Sequence, residues 1–180
     1  RLNANGTVIS GNEFVIGADN EIKGLSIFAN GDIMGVGSIR DAKGRMNGWA
    51  VRLNKDLRII WQQPYPRGAG EKFISGTTLQ KNLFVVGGTA LPVGDGNRAG
   101  WAMVLDGLSG NILWQRYFTG ALHFNGRSVL ASEDGMISFM MDGDAPEGME
   151  EIDEKDAAHV RVLTLNPRGV MFGSDEYFHG

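Results

Sequence analysis

There is no cysteine in this chain. That excludes disulfide frameworks, zinc–thiolate sites and cysteine nucleophiles. It assigns no compartment, because many envelope proteins also lack cysteine. Proline is scarce, at 5 of 180 residues, and the glycines follow no Gly-X-Y period, so a collagen-like chain is excluded. No apolar run approaches the roughly 18 residues of a membrane span, so no direct membrane insertion is expected. No secretory leader is legible either, and a chain that begins at Arg1 reads as processed, trimmed or part of a longer polypeptide. A Gly-x-Ser-x-Gly elbow and a P-loop are both missing. The run Gly94–Gly100 is glycine-rich, but no helix pattern follows it, so it reads as a turn and not as a phosphate cradle. No clustered basic stripe marks a nucleic-acid surface. His123, His159 and His179 have neither a second histidine nor a carboxylate at ligand spacing, so no metal, cofactor or catalytic set is expected from them.

What is abundant is glycine, at 27 residues. Glycine costs backbone entropy in helices, so a helical bundle is disfavoured. With 42% hydrophobic and 21% charged residues the chain is still a folding sequence. The combination predicts an all-β, turn-rich protein. The net charge of -4 is unevenly placed. Residues 142–156 hold eight acids and one lysine, while the remainder is slightly basic.

The sequence repeats. Leu2–Gly17, Leu53–Gly68, Leu105–Gly120 and Leu165–Gly180 each open with Leu-Asn or Leu-Asp and cross a polar turn into an apolar run. Each then carries an aromatic residue (Phe14, Tyr65, Phe118, Tyr177) and closes on glycine. The leucines are 51, 52 and 60 residues apart. Trp49–Leu53 matches Trp101–Leu105, and Arg161–Leu165 fills the third slot with arginine in place of tryptophan. Alternation along these runs is the period of a strand. Asn30-Gly31 and Asp134-Gly135 predict two-residue hairpin turns, with Lys81-Asn82 at the same place in the middle copy. The unit is therefore four short strands, a to d, in 50–60 residues, which is the pattern of a β-propeller blade.

Within this pattern, Ala102–Trp114 resembles the tryptophan-docking motif of quinoprotein-like propellers, roughly Ala-x-Asp-x-x-x-Gly-x-x-x-Trp. Gly48–Leu53 followed by Ile59-Ile60-Trp61 is similar to a broader group of bacterial propeller repeats. The resemblance implies that Trp61 and Trp114 pack between blades. Ser10 and Gly173 stand at the other two tryptophan positions. The expected organisation is about three and a quarter blades. Residues 1–20 are strands c and d of a preceding blade, 21–68 blade 1, 69–120 blade 2, and 121–180 blade 3 with an acidic insertion at 142–156. A larger propeller or assembly should complete them, so the expected partners are other protein chains or remaining blades.

The resemblance implies a non-catalytic interaction or assembly scaffold of a bacterial envelope or secretion-related protein, periplasmic or extracellular. A fragment of a quinoprotein-like enzyme and a carbohydrate-binding propeller using Trp49 or Trp101 are the alternatives. In the scaffold reading the acidic loop supplies binding through Asp142, Asp144, Glu147, Glu150, Glu151, Asp153 and Glu154. Docking to a basic partner, calcium ligation and plain solvation all remain open for it. An EF-hand is excluded, because Glu147 stands where that loop needs glycine.

Overall fold

The computed structural model describes residues 2–11, 13, 19–66, 70–91, 97–120, 122–144 and 158–178. Twelve strands run in chain order among them. They are β1 (Asn20–Ile27), β2 (Ile33–Arg40), β3 (Met46–Leu53), β4 (Ile59–Tyr65), β5 (Lys72–Leu79) and β6 (Leu83–Ala90). The rest are β7 (Ala99–Asp106), β8 (Ile112–Phe118), β9 (His123–Ala131), β10 (Ile137–Asp144), β11 (Ala158–Leu165) and β12 (Met171–Phe178). They form three four-stranded antiparallel meanders, β1–β4, β5–β8 and β9–β12, here sheets 1, 2 and 3. Strands a to d of each repeat are thus one sheet. Strand a begins at Asn20 and His123, ahead of the expected starts near Gly24 and Arg127, because a polar residue at a strand end still completes the ladder.

The turns differ from the sequence expectation. At Asn30-Gly31 and Asp134-Gly135 only the glycine has positive φ. The loops are three residues long, closed by Gly31 N–H to Phe28 O and by Gly135 N–H to Ser132 O. A type I turn followed by a left-handed glycine gives that geometry. The Leu-Asn motif is the same device at the c–d turn. Asn54 Oδ1 accepts the N–H groups of Asp56 and Arg58 at 2.9 Å each, and Asn166 Oδ1 does the same for Arg168 and Val170 at 2.9 Å. Asn3 Oδ1 accepts the Thr7 N–H at 2.8 Å, and Leu2 bridges Val8. The chain's first turn therefore has the c–d geometry. Residues 9–11 and 13 follow without joining a strand, and Phe14 and Gly17 lie outside the described residues, as do Gly68 and Gly180.

Two turns hold non-glycine residues at positive φ: the β3–β4 turn, with Leu57 at 61°, and the β5–β6 turn. Gln80 and Lys81 both have positive φ, at 37° and 23°, without a glycine between them. Such residues pay a steric penalty that glycine avoids. Lys81→Gly is expected to raise stability by about 0.5–1 kcal/mol, read as a higher urea midpoint at unchanged m value.

The sheets stack through their faces. The leading face of a sheet points to the sheet before it in the chain, and the trailing face to the sheet after it. Met34, Val36 and Ala50 on the trailing face of sheet 1 pack against Phe73, Phe84, Val86, Trp101, Met103 and Leu105 of sheet 2. Val85, Ala102 and Val104 then pack against Val129, Ile137, Phe139, Met141, Leu163 and Leu165 of sheet 3. Small residues meet large ones. A Cβ on Gly48 would lie 2.9 Å from the Phe73 ring, and one on Gly100 3.2 Å from the Phe139 ring. Glycine at these two positions lets the aromatic ring seat against the neighbouring backbone.

Candidate docking faces

Strand d carries the ties between sheets. In β4, β8 and β12 one extra residue bulges out of the ladder, at Ile60, Leu113 and Phe172. A bulge re-aims the next side chain. In β4 that side chain is Trp61, whose indole Nε1–H donates to Gly107 O at 2.9 Å and whose ring lies on Gly110. In β8 it is Trp114, which donates to Pro167 O at 2.7 Å and lies on Gly169. Each tryptophan thus rests on the c–d turn of the next sheet. Tyr65 adds a hydroxyl bond to Gly110 O at 2.7 Å, and burial pushes its phenol well above the ordinary range. Phe118 packs on Phe139 at 5.7 Å between centroids.

The same positions in β12 are Gly173, with open space around it, and Tyr177, which is exposed. The trailing face of sheet 3 departs from the other two in further ways. By strand register, Gly48 and Gly100 correspond to Val160, and Val36 and Gly87 correspond to Met140. Val160 and Met140 are partly exposed and Leu130 beside them is exposed. The glycine seats of the two buried interfaces are absent here.

Asp142 and Asp144 belong to this face, two residues apart on β10. Asp142 Oδ2 accepts from Arg127 Nη2 at 2.6 Å and Nε at 2.9 Å. That partnership raises the Arg127 guanidinium further above its ordinary value, against the opposing cost of burial. Asp144 accepts from Asn125 Nδ2 at 2.7 Å and from Arg98 at 3.5 Å. The two carboxylates therefore address different cations and do not converge. Among the described residues no three His, Asp or Glu side chains gather at a common point. Glu147, Glu150, Glu151, Asp153 and Glu154 lie outside the described residues. His123 sits opposite Asp144 in the ladder, with Nδ1 accepting the Arg98 N–H at 3.0 Å. His159 lies in β11, and His179 is outside the described residues.

The leading face of sheet 1 is of another kind. Ile33, Ile39, Trp49, Val51 and Leu53 form a third apolar cluster made of sheet 1 residues alone. By register these positions repeat the leading faces of sheets 2 and 3, with Trp49, Trp101 and Arg161 aligned. Trp49 and Trp101 are both buried, so neither is a surface platform for a sugar ring. Arg161 replaces the third indole by lying over the Phe124 ring at 4.9 Å. Burial is uneven across the open face. Its strand c side chains are buried, but on strand a Ile22 is 42% and Leu25 68% exposed. The corresponding strand a residues of the other sheets, Phe73 and Val129, are 0% and 1% exposed. A cleft of about 270 Å³ opens there, lined by Ile22, Leu25, Gly35, Trp49, Val51 and Leu53.

Sequence reasoning missed this unevenness, because Leu25 reads as an ordinary strand residue and Ile22 lies ahead of the expected strand. It also missed the strand d bulges, which need an extra residue that no local pattern marks. No family model matches the chain, and neither does any curated protein.

Proposed function

We propose that the chain is a non-catalytic assembly module, about three and a quarter blades of a propeller-like stack, which joins protein partners through the leading end of that stack. The observation that carries this reading is the leading face of sheet 1. It has the apolar register by which sheets 2 and 3 are held, yet presents Ile22 and Leu25 to solvent. Apolar residues grouped on such a face favour a protein partner over water. The acidic insertion at 142–156 is a secondary contact for a basic surface beside the opposite end. Placement in a bacterial envelope rests on the repeat resemblance.

The test is site-specific photo-crosslinking in the cells that make the protein. A photoreactive phenylalanine at position 25 is expected to give a discrete adduct whose crosslinked peptide comes from a β-strand of a protein partner. The same probe at position 130, on the trailing face of sheet 3, is expected to give none. An unreacted probe at position 25 contradicts the proposal.

A further inference from the structure

Resting on that reading, the geometry points to a specific occupant: we infer that the leading face of sheet 1 takes up a two-stranded β-hairpin, strands a and b of a repeat of this type, supplied by a partner polypeptide. In both buried interfaces strand a is covered by the preceding sheet's inner strands. β5 packs mainly against β1 and β2 and less against β3, and β9 packs mainly against β5 and β6 and less against β7. The hairpin contact includes hydroxyl bonds across the gap. Ser75 Oγ accepts the Val129 N–H at 3.3 Å, and Ser26 Oγ accepts the Thr78 N–H at 3.3 Å. On sheet 1 the exposed part is strand a, and the cleft lies where such a hairpin would sit. The c half of the face is already buried. The vacancy is therefore the size of two strands and not of a whole sheet.

The chemistry of the occupant follows from the hairpins that fill the equivalent places. Both offer small or slender residues, Gly24, Met34 and Val36 in one and Ser75, Val85 and Gly87 in the other. Gly35 leaves room for such a strand, where sheets 2 and 3 carry Val86 and Phe139. A second copy of this chain does not supply the hairpin. Its β1–β2 and β5–β6 hairpins are engaged internally, and β9–β10 presents Met140 and the Arg127–Asp142 pair in place of small residues.

A synthetic peptide of residues 20–40 is the probe, titrated into the full chain by calorimetry. Saturable binding is expected, with a scrambled peptide inert. Leu25→Asp, at an exposed position, is expected to weaken binding at least 10-fold while the circular dichroism and melting midpoint stay as in the wild type. Arg127→Ser with Asp142→Ser, on the far face, is expected to leave binding unchanged. No binding at about 0.5 mM peptide, or binding lost through the far-face change and not through Leu25→Asp, overturns the inference. A photo-adduct at position 25 without peptide binding would leave the assembly reading standing and the hairpin excluded.

Discussion

Trp114→Ala is expected to lower the stability of the folded chain by about 3 kcal/mol. That is the lower end of the range for truncating a large aromatic side chain, because part of the ring remains solvated. The indole lies on Gly169 and ties sheet 2 to sheet 3 through a bond to Pro167 O. Burying an indole removes about 200 Å² from water, worth at most about 5 kcal/mol at 25 cal/mol per Å². Trp114→Phe keeps the ring over Gly169 and loses the N–H bond, so it is expected to cost only about 1 kcal/mol beyond the smaller ring area. In thermal unfolding each kcal/mol is about 2–4 °C for a chain of this length. Equal midpoints for the alanine variant and the wild type would show that the tryptophan does not hold the sheets together.

Arg52→Ala is expected to cost about 3–5 kcal/mol, the other large effect. Arg52 is 3% exposed at the seam between sheets 1 and 2. Its Nη2 donates to Asp32 Oδ2 at 2.6 Å and its Nη1 to Gly107 O at 2.6 Å, while the guanidinium lies 4.4 Å from the Phe28 ring centre. Truncation leaves Asp32 buried with Asn30 as its remaining side-chain partner at 3.0 Å. Removing both charges, with Arg52→Met and Asp32→Asn, is expected to cost much less, because no uncompensated ion remains.

The pH dependence has a definite sign. Burial alone would raise the Asp32 carboxyl, but the bonds from Arg52 and Asn30 and the Arg52 charge outweigh it and lower the folded value below 3.8. The unfolded group titrates near 3.8, so the stabilisation is present above that pH. It is lost as pH falls through the lower folded value. The gap between wild type and Arg52→Ala in urea unfolding is therefore expected to narrow in acid. A gap that widens in acid would contradict the pairing.

The strands and sheets were legible because repetition multiplied a weak signal. One Leu-Asn dipeptide means little, but two further copies and one Leu-Asp at matching places mark a turn, and Asn54 and Asn166 use the same side-chain bonds there. Trp61 and Trp114 were legible as a recurring aromatic position. Their acceptors were not, since Gly107 O and Pro167 O belong to backbone 46 and 53 residues away. The pairing of Arg52 with Asp32 was hidden as well, because Asp32 lies 20 residues away at the β1–β2 turn. The period-2 pattern puts Arg52 on one face but says nothing of what the next sheet brings to it. The ends of the stack were the least legible. Leu25 and Phe73 read alike as strand residues, and only stacking makes one exposed and the other buried.

Carbene footprinting compares the isolated chain with the proposed assembly at residue level. Ile22 and Leu25 are expected to label strongly in the isolated chain and to be protected in the assembly, while Leu130 labels equally in both. Leu25 labelled to the same extent in both states, or protection confined to Leu130, would contradict docking through the leading face of sheet 1.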